Sequence, residues 1–277
     1  MKIQYFGTAA YERIPALFCN CGVCKLAREK GGKNIRTQTQ TIIDDKILID
    51  FNMDNYIHAV THKVDFSALE CLLVTHGHED HFIAEELSMR GSYFGHDLTK
   101  AEWQIIGSSD IENRFLQNKR AIGTTFKVIK PYETVKFDKY TITALPATHV
   151  VAEPLCYIIS DGEKTVFYSL DTGLMKQEVY DFIKDKKFKF DLVICDCTCG
   201  LWDSRNCGGH MSLLDNDTHR SILKECGAVC ENTKWVINHF SHNALFKNGK
   251  PTDAEILEEE AGKLGMEVAF DGKIDNI

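Results

Sequence analysis

Leu69-Glu70-Cys71-Leu72-Leu73-Val74-Thr75-His76-Gly77-His78-Glu79-Asp80-His81 is the stretch on which this chain turns. Residues 71–74 are apolar and read as a buried strand that stops at Thr75. Directly after it, three histidines and an aspartate fall within the six residues 76–81. Imidazole nitrogens and carboxylate oxygens suit zinc, iron and manganese, and imidazole binds in its neutral form. A rigid strand thus feeds a ligand loop at a sheet edge, where His76 and His78 can grip one cation and Asp80 with His81 a second.

Around that loop the composition is that of a globular protein. With 277 residues, 44% of them apolar, the chain can build a sizeable core, and one domain over 1–277 is the simplest organisation. Forty acidic against 32 basic residues give a net charge of -8, which argues against an extended nucleic-acid surface or an anionic membrane as partner. No apolar run has the length needed to span a bilayer, and the first residues carry no leader-like stretch, so the cytoplasm is the expected location. The 11 cysteines, an odd number, point to reduced thiols and metal ligands rather than a disulfide framework.

Outward from the loop, short β-rich segments alternate with helical ones. Residues 2–6 read as a strand, and 39–43 with 46–50 as a hairpin turning at Asp44-Asp45. Further strands are expected at 103–106, 124–129, 134–137, 141–145, 155–160, 165–169, 192–195 and 235–238. Helices are expected at 54–62, 175–186, 212–225 and 251–263, the last opened by Pro251 and Asp253. The polar stretch 28–37 reads as a surface loop. This order suggests an α/β architecture of two mixed sheets packed together with helices outside.

Three more ligand-type residues stand just past strands: His149, Asp171 and His239. Each alone is weak evidence, since a lone histidine or an aspartate before Thr-Gly is usually a satisfied polar residue or a turn. Together with the first cluster they follow the order His-x-His-x-Asp-His, His, Asp, His, and the chain resembles the metallo-β-lactamase superfamily of metallohydrolases over essentially its whole length. The resemblance implies the four-layer αβ/βα sandwich of that superfamily. It also implies a binuclear centre with His76, His78 and His149 on one divalent ion, Asp80, His81 and His239 on the other, and Asp171 bridging, the ions being zinc, manganese or iron. Ala84 departs from the pattern, standing where many relatives carry glycine. His78 stands where flavodiiron-type oxygen reductases place glutamate, and Asp171 where the antibiotic-hydrolysing lactamases use cysteine, so the full hydrolase pattern is kept.

Near the N-terminus, Cys19-Asn20-Cys21-Gly22-Val23-Cys24 brings three thiols into six residues, too close for unstrained mutual disulfides and suited to zinc. His242 is the best fourth ligand of a closed structural zinc site. Cys-x-Cys-x-x-Cys early and His-x-x-His late are similar to the phosphoribosyl cyclic phosphate phosphodiesterase-like group and to the pyrroloquinoline quinone biosynthesis B-type proteins. The first of these groups has a further histidine whose context here is Gly209-His210-Met211-Ser212-Leu213, which would make His210 a phosphate contact or the acid for the leaving oxygen. Cys195, Cys197 and Cys199 read instead as small buried hydrophobes.

The expected activity is therefore metal-dependent hydrolysis of a small phosphodiester, cyclic or linear, by a hydroxide bridging two cations, with Asp80 as a ligand and His210 as proton donor. A homodimer is compatible with this reading. Two alternatives have different chemistry: a transfer-RNA 3′ processing-type nuclease, which the acidic balance disfavours, and a non-hydrolytic metal-binding protein like the quinone biosynthesis relatives, which often lose ligands that this chain keeps.

Overall fold

The computed structural model describes residues 1–91, 93–117, 122–202 and 207–277. Two seven-stranded mixed sheets form its centre. In the first, the strands run Ile274–Asn276, Lys2–Gly7, Gln40–Ile43, Ile47–Ile49, Cys71–Leu73, Trp103–Gly107 and Thr124–Val128, antiparallel as far as Ile47–Ile49 and parallel beyond it. In the second, Glu267–Val268, Lys234–Asn238, Leu192–Asp196 and Thr165–Ser169 are parallel, and Leu155–Ser160, Tyr140–Pro146 and Thr134–Phe137 complete it antiparallel.

Alternation along each strand makes the layers. Cys71 and Leu73 point into the space between the sheets, where they meet Tyr157, Ile159, Val166 and Ile194 from the second sheet. Their neighbours Leu72 and Val74 point outward to Phe51, Phe82 and Ile111. In the second sheet, Phe167, Val193, Cys195 and Ile237 face outward and are covered by the helices Gln177–Asp185, Leu213–Glu225 and Ala254–Lys263 through Val179, Leu223 and Leu257. Both faces of the central strands are dry, which is why they read as unbroken apolar runs rather than as alternating ones. The order helix, sheet, sheet, helix is the four-layer sandwich expected.

Local chemistry explains the boundaries. Asp44 and Asp45 take φ of 51° and 52°, the left-handed pair that a tight hairpin turn demands. Ser212 and Asp215 form a reciprocal capping box that starts the helix Leu213–Glu225. Among the described residues no helix is long and apolar enough to cross a membrane.

Two expectations need correction. Pro251 does not open the last helix: it lies in the small strand Lys250–Pro251, and Asp253 caps the helix by accepting from Ile256 N. The stretch 28–37 is not simply a surface loop. Arg28 and Lys30 end a helix Gly22–Lys30, and Arg36 is buried, donating to Thr8 Oγ1 at 2.8 Å and Ala269 O at 2.6 Å with its guanidinium over the Phe240 ring. A long charged side chain can be buried when each donor finds an acceptor, and polar composition alone does not reveal that.

Candidate metal centre

Six strands end at one edge of the sandwich, and each delivers a polar side chain there: Asp50, the 76–81 loop, His149, Asp171, Asp196 and His239. The carboxyl ends of strands are where such folds leave an open crevice. Asp50 and His239 both adopt left-handed φ, 67° and 63°, a conformation costly for a non-glycine residue and typical of sites where side-chain direction is imposed by the surroundings.

The residues form two adjoining clusters. In the first, Nε2 of His76 and Nε2 of His149 lie 3.0 and 3.2 Å from Nδ1 of His78. In the second, Nε2 of His81 lies 3.3 Å from Nε2 of His239, 3.3 Å from Asp80 Oδ2 and 3.2 Å from Asp171 Oδ2. His239 Nε2 in turn lies 3.1 Å from Asp171 Oδ1. Asp171 therefore sits with His81, His239 and Asp80, and the structure brings together all seven residues proposed as ligands.

The outward nitrogens of four of the five rings, those of His76, His81, His149 and His239, are tied down. His81 Nδ1 donates to Asp50 Oδ2 at 2.7 Å, and His149 Nδ1 donates to the Gly209 carbonyl at 3.1 Å. His76 Nδ1 meets Thr75 Oγ1 at 3.0 Å, and His239 Nδ1 meets Thr198 Oγ1 at 2.8 Å. A proton on Nδ1 leaves a lone pair on Nε2, so the inward atoms are acceptors facing acceptors. Such a set is held together by a cation, and ligand histidines are commonly oriented this way. Asp171 Oδ1 is buried with no hydrogen-bond partner among the described residues, which fits the same reading.

Electrostatics agree. Burial disfavours a charged His81, but Asp171, Asp80 and Asp50 outweigh it and raise its pKa well above the ordinary range; the same field attracts a divalent cation. Burial, with His81 next, pushes His76 well below the ordinary imidazole range, the neutral form a ligand needs. Burial would raise Asp171, yet His239 and His81 hold it well below the usual carboxylate range.

His210 stands beside both clusters. Its ring stacks on His239 at 5.8 Å between centroids and meets His149 edge-on at 4.8 Å. Nδ1 lies 2.7 Å from Oδ2 of the buried Asp196. Burial alone would lower the His210 pKa, but the Asp196 carboxylate raises it to about 9. These groups open on a pocket of about 540 Å³ that also takes in Glu12, Glu79, Arg114 and Asn243. Arg114, paired with Asp110, packs against the ligand loop: a Cβ on Gly77 would come within 2.5 Å of Arg114 Nε, so a larger residue there would displace the Arg114 side chain.

The N-terminal thiols gather around His242. His242 Nδ1 is 3.4 Å from Cys21 Sγ and 3.8 Å from Cys19 Sγ, and all three cysteines with His242 form one cluster. Cys21 also caps the helix Gly22–Lys30, its sulfur accepting from Cys24 N at 3.5 Å. Three sulfurs and one imidazole nitrogen match a closed tetrahedral zinc set. Cys195, Cys197 and Cys199 are buried, as expected of small hydrophobes.

Asp50, Asp196 and Thr198 were not singled out from sequence. Asp50 and Asp196 end apolar runs, the same signal that picked out Asp171, but Asp196 is masked by the alternating cysteines around it.

A family model described as a beta-lactamase superfamily domain matches residues 46–236. No curated protein matches the chain by sequence. Solved structures do resemble it: zinc-bound PqqB from Methylobacterium extorquens at a TM-score of 0.72 and 16% identity, covering 100% of both chains. A diphosphatase from the PhnP family gives 0.71 and 16%, covering 100% of this chain and 97% of that one. Human tRNase Z, short form, gives 0.65 and 13%, covering 100% and 99%.

Proposed function

This chain belongs to the beta-lactamase superfamily, and we propose that within it the protein is a metal-dependent hydrolase with a binuclear centre that cleaves a small phosphodiester, cyclic or linear. The observation that carries the proposal is the pair of adjoining clusters, one of three imidazoles and one of two imidazoles and two carboxylates, with the Nε2 lone pairs of His76, His81, His149 and His239 turned inward by partners on Nδ1 and His78 presenting Nδ1. The likeness to a PhnP-family diphosphatase supports attack at phosphorus.

His76, His78 and His149 would hold one divalent ion and Asp80, His81 and His239 the other, with Asp171 shared between them. Two such ions supply a water acidic enough to attack at neutral pH and neutralise charge on phosphoryl oxygens. Asp80 and Asp171, facing imidazoles on the metal side, act as ligands and not as bases. Thr75, Asp50, Thr198 and the Gly209 carbonyl fix the ring planes, so the pocket is set before substrate arrives. His210, held by Asp196 with a proton retained above neutral pH, donates that proton to the departing alkoxide.

Purified protein supplied with zinc or manganese should hydrolyse bis(p-nitrophenyl) phosphate. Asp80→Ala should lose that activity while keeping its circular dichroism spectrum. Full activity in the variant would remove the mechanism, and cleavage of precursor transfer RNA in preference to the small ester would favour the nuclease.

A further inference from the structure

The Glu12 side chain lies between the catalytic pocket and the thiol clip. It lines the catalytic pocket, and its Oε1 accepts a hydrogen bond from Ser241 Oγ. The same oxygen lies 3.8 Å from Nε2 of His242, whose Nδ1 faces Cys21 and Cys19. The two ring nitrogens of His242 thus address different partners, thiol sulfurs on one side and a carboxylate on the other.

The backbone makes this junction rigid. Phe240 N donates to Thr8 O at 2.9 Å and Ala10 N to Phe240 O at 3.0 Å, zipping the segment that carries Glu12 to the one that carries His239, Ser241 and His242. Ser241 and His242 are both nearly buried. At 3.8 Å the Glu12 carboxylate is past hydrogen-bond distance from His242, so it acts on that ring by its charge, which favours a more basic imidazole and a firmer metal ligand.

We infer that Glu12 is a positioning residue shared by the two centres: its charge strengthens His242 as a ligand in the Cys19, Cys21, Cys24 and His242 clip, and its hydrogen bond from Ser241 fixes the wall of the catalytic pocket. Through it, the state of the clip is felt as substrate affinity. This rests on the clip holding zinc. No bond to substrate is broken or formed by Glu12, so its loss acts on KM more than on kcat.

The test is made on the full-length, metal-loaded protein. Release of zinc to a chromogenic chelator is timed for the wild type, Glu12→Gln, Glu12→Asp and Cys21→Ala, and KM and kcat for bis(p-nitrophenyl) phosphate are measured alongside. The expected result is that Cys21→Ala lacks one zinc, and that Glu12→Gln releases the corresponding zinc on the order of 10-fold faster, as second-layer changes do. Its KM should rise several-fold with kcat within a factor of two, and Glu12→Asp should recover part of both. Zinc release and KM in Glu12→Gln equal to wild type overturn the coupling while leaving the clip intact. Equal zinc content in wild type and Cys21→Ala overturns the clip itself and the coupling with it.

Discussion

Asp196 Oδ2 lies 2.7 Å from Nδ1 of His210, and this pairing leaves Nε2 as the nitrogen that meets a substrate in the pocket. His210→Gln should lower kcat by about 10²- to 10⁴-fold, the range for loss of a general acid. Asp196→Asn should cost less, roughly 10- to 100-fold, because the ring stays in place on His239 but loses its carboxylate. A proton donor works only while protonated, so activity falls as pH rises through its pKa. Without Asp196 that alkaline fall should move to lower pH, which a kcat/KM profile on bis(p-nitrophenyl) phosphate will register; an unmoved profile would remove His210 as the acid.

Asp50 accepts from Thr75 N, Thr75 Oγ1 and His81 Nδ1 and is fully buried. Asp50→Ala leaves those donors unpaired and frees the His81 ring to turn. Metal affinity should fall by about 10- to 100-fold. Competition with a chelator of known affinity measures this, and wild-type affinity would show that Asp50 is structural only.

The ligand loop was legible because His76, His78, Asp80 and His81 are adjacent in sequence, and the distant ligands because each follows a strand of unbroken apolar residues. What escaped was set by tertiary contact. Asp50 and Asp196 look like ordinary strand ends until the sheets bring them against His81 and His210. The helix Gly22–Lys30 was hidden for a related reason: its start depends on Cys21 as cap, and its buried face on Val23, Cys24 and Ala27 docking near the second sheet. Arg36 reads as a surface charge, since nothing local foretells its acceptors on Thr8 and Ala269.

The clip ties residues 19–24 to the segment after the last catalytic ligand, so Cys21→Ala should destabilise as well as lose zinc. A loss of a few kcal/mol corresponds to a fall in Tm of roughly 5–10 °C for a chain of this size class. Differential scanning fluorimetry with metal analysis checks it; an unchanged Tm would deny the clip a structural part.

His219 is fully buried against Trp235, with Tyr180 Oη 2.7 Å from its Nδ1, and burial lowers its pKa to about 3. The unfolded chain binds the proton near pH 6.5 and the folded chain only near pH 3, so the unfolded state holds more protons between those values. Stability from this group is complete above about 6.5 and is lost as pH falls toward 3. His219→Gln should be less stable at pH 7 by about 1–2 kcal/mol, through imperfect packing and hydrogen bonding, yet lose less on acidification to pH 5. Urea midpoints at the two pH values decide it, and parallel losses in both proteins would contradict the assignment.

The most direct test of the binuclear centre is anomalous diffraction at the zinc edge from crystals grown with zinc in excess. Two peaks about 3.5–4 Å apart are predicted, one among His76, His78 and His149 and one among Asp80, His81, Asp171 and His239. A third peak is predicted among Cys19, Cys21, Cys24 and His242. A strong peak at the clip with one peak or none between the two catalytic clusters would contradict the account.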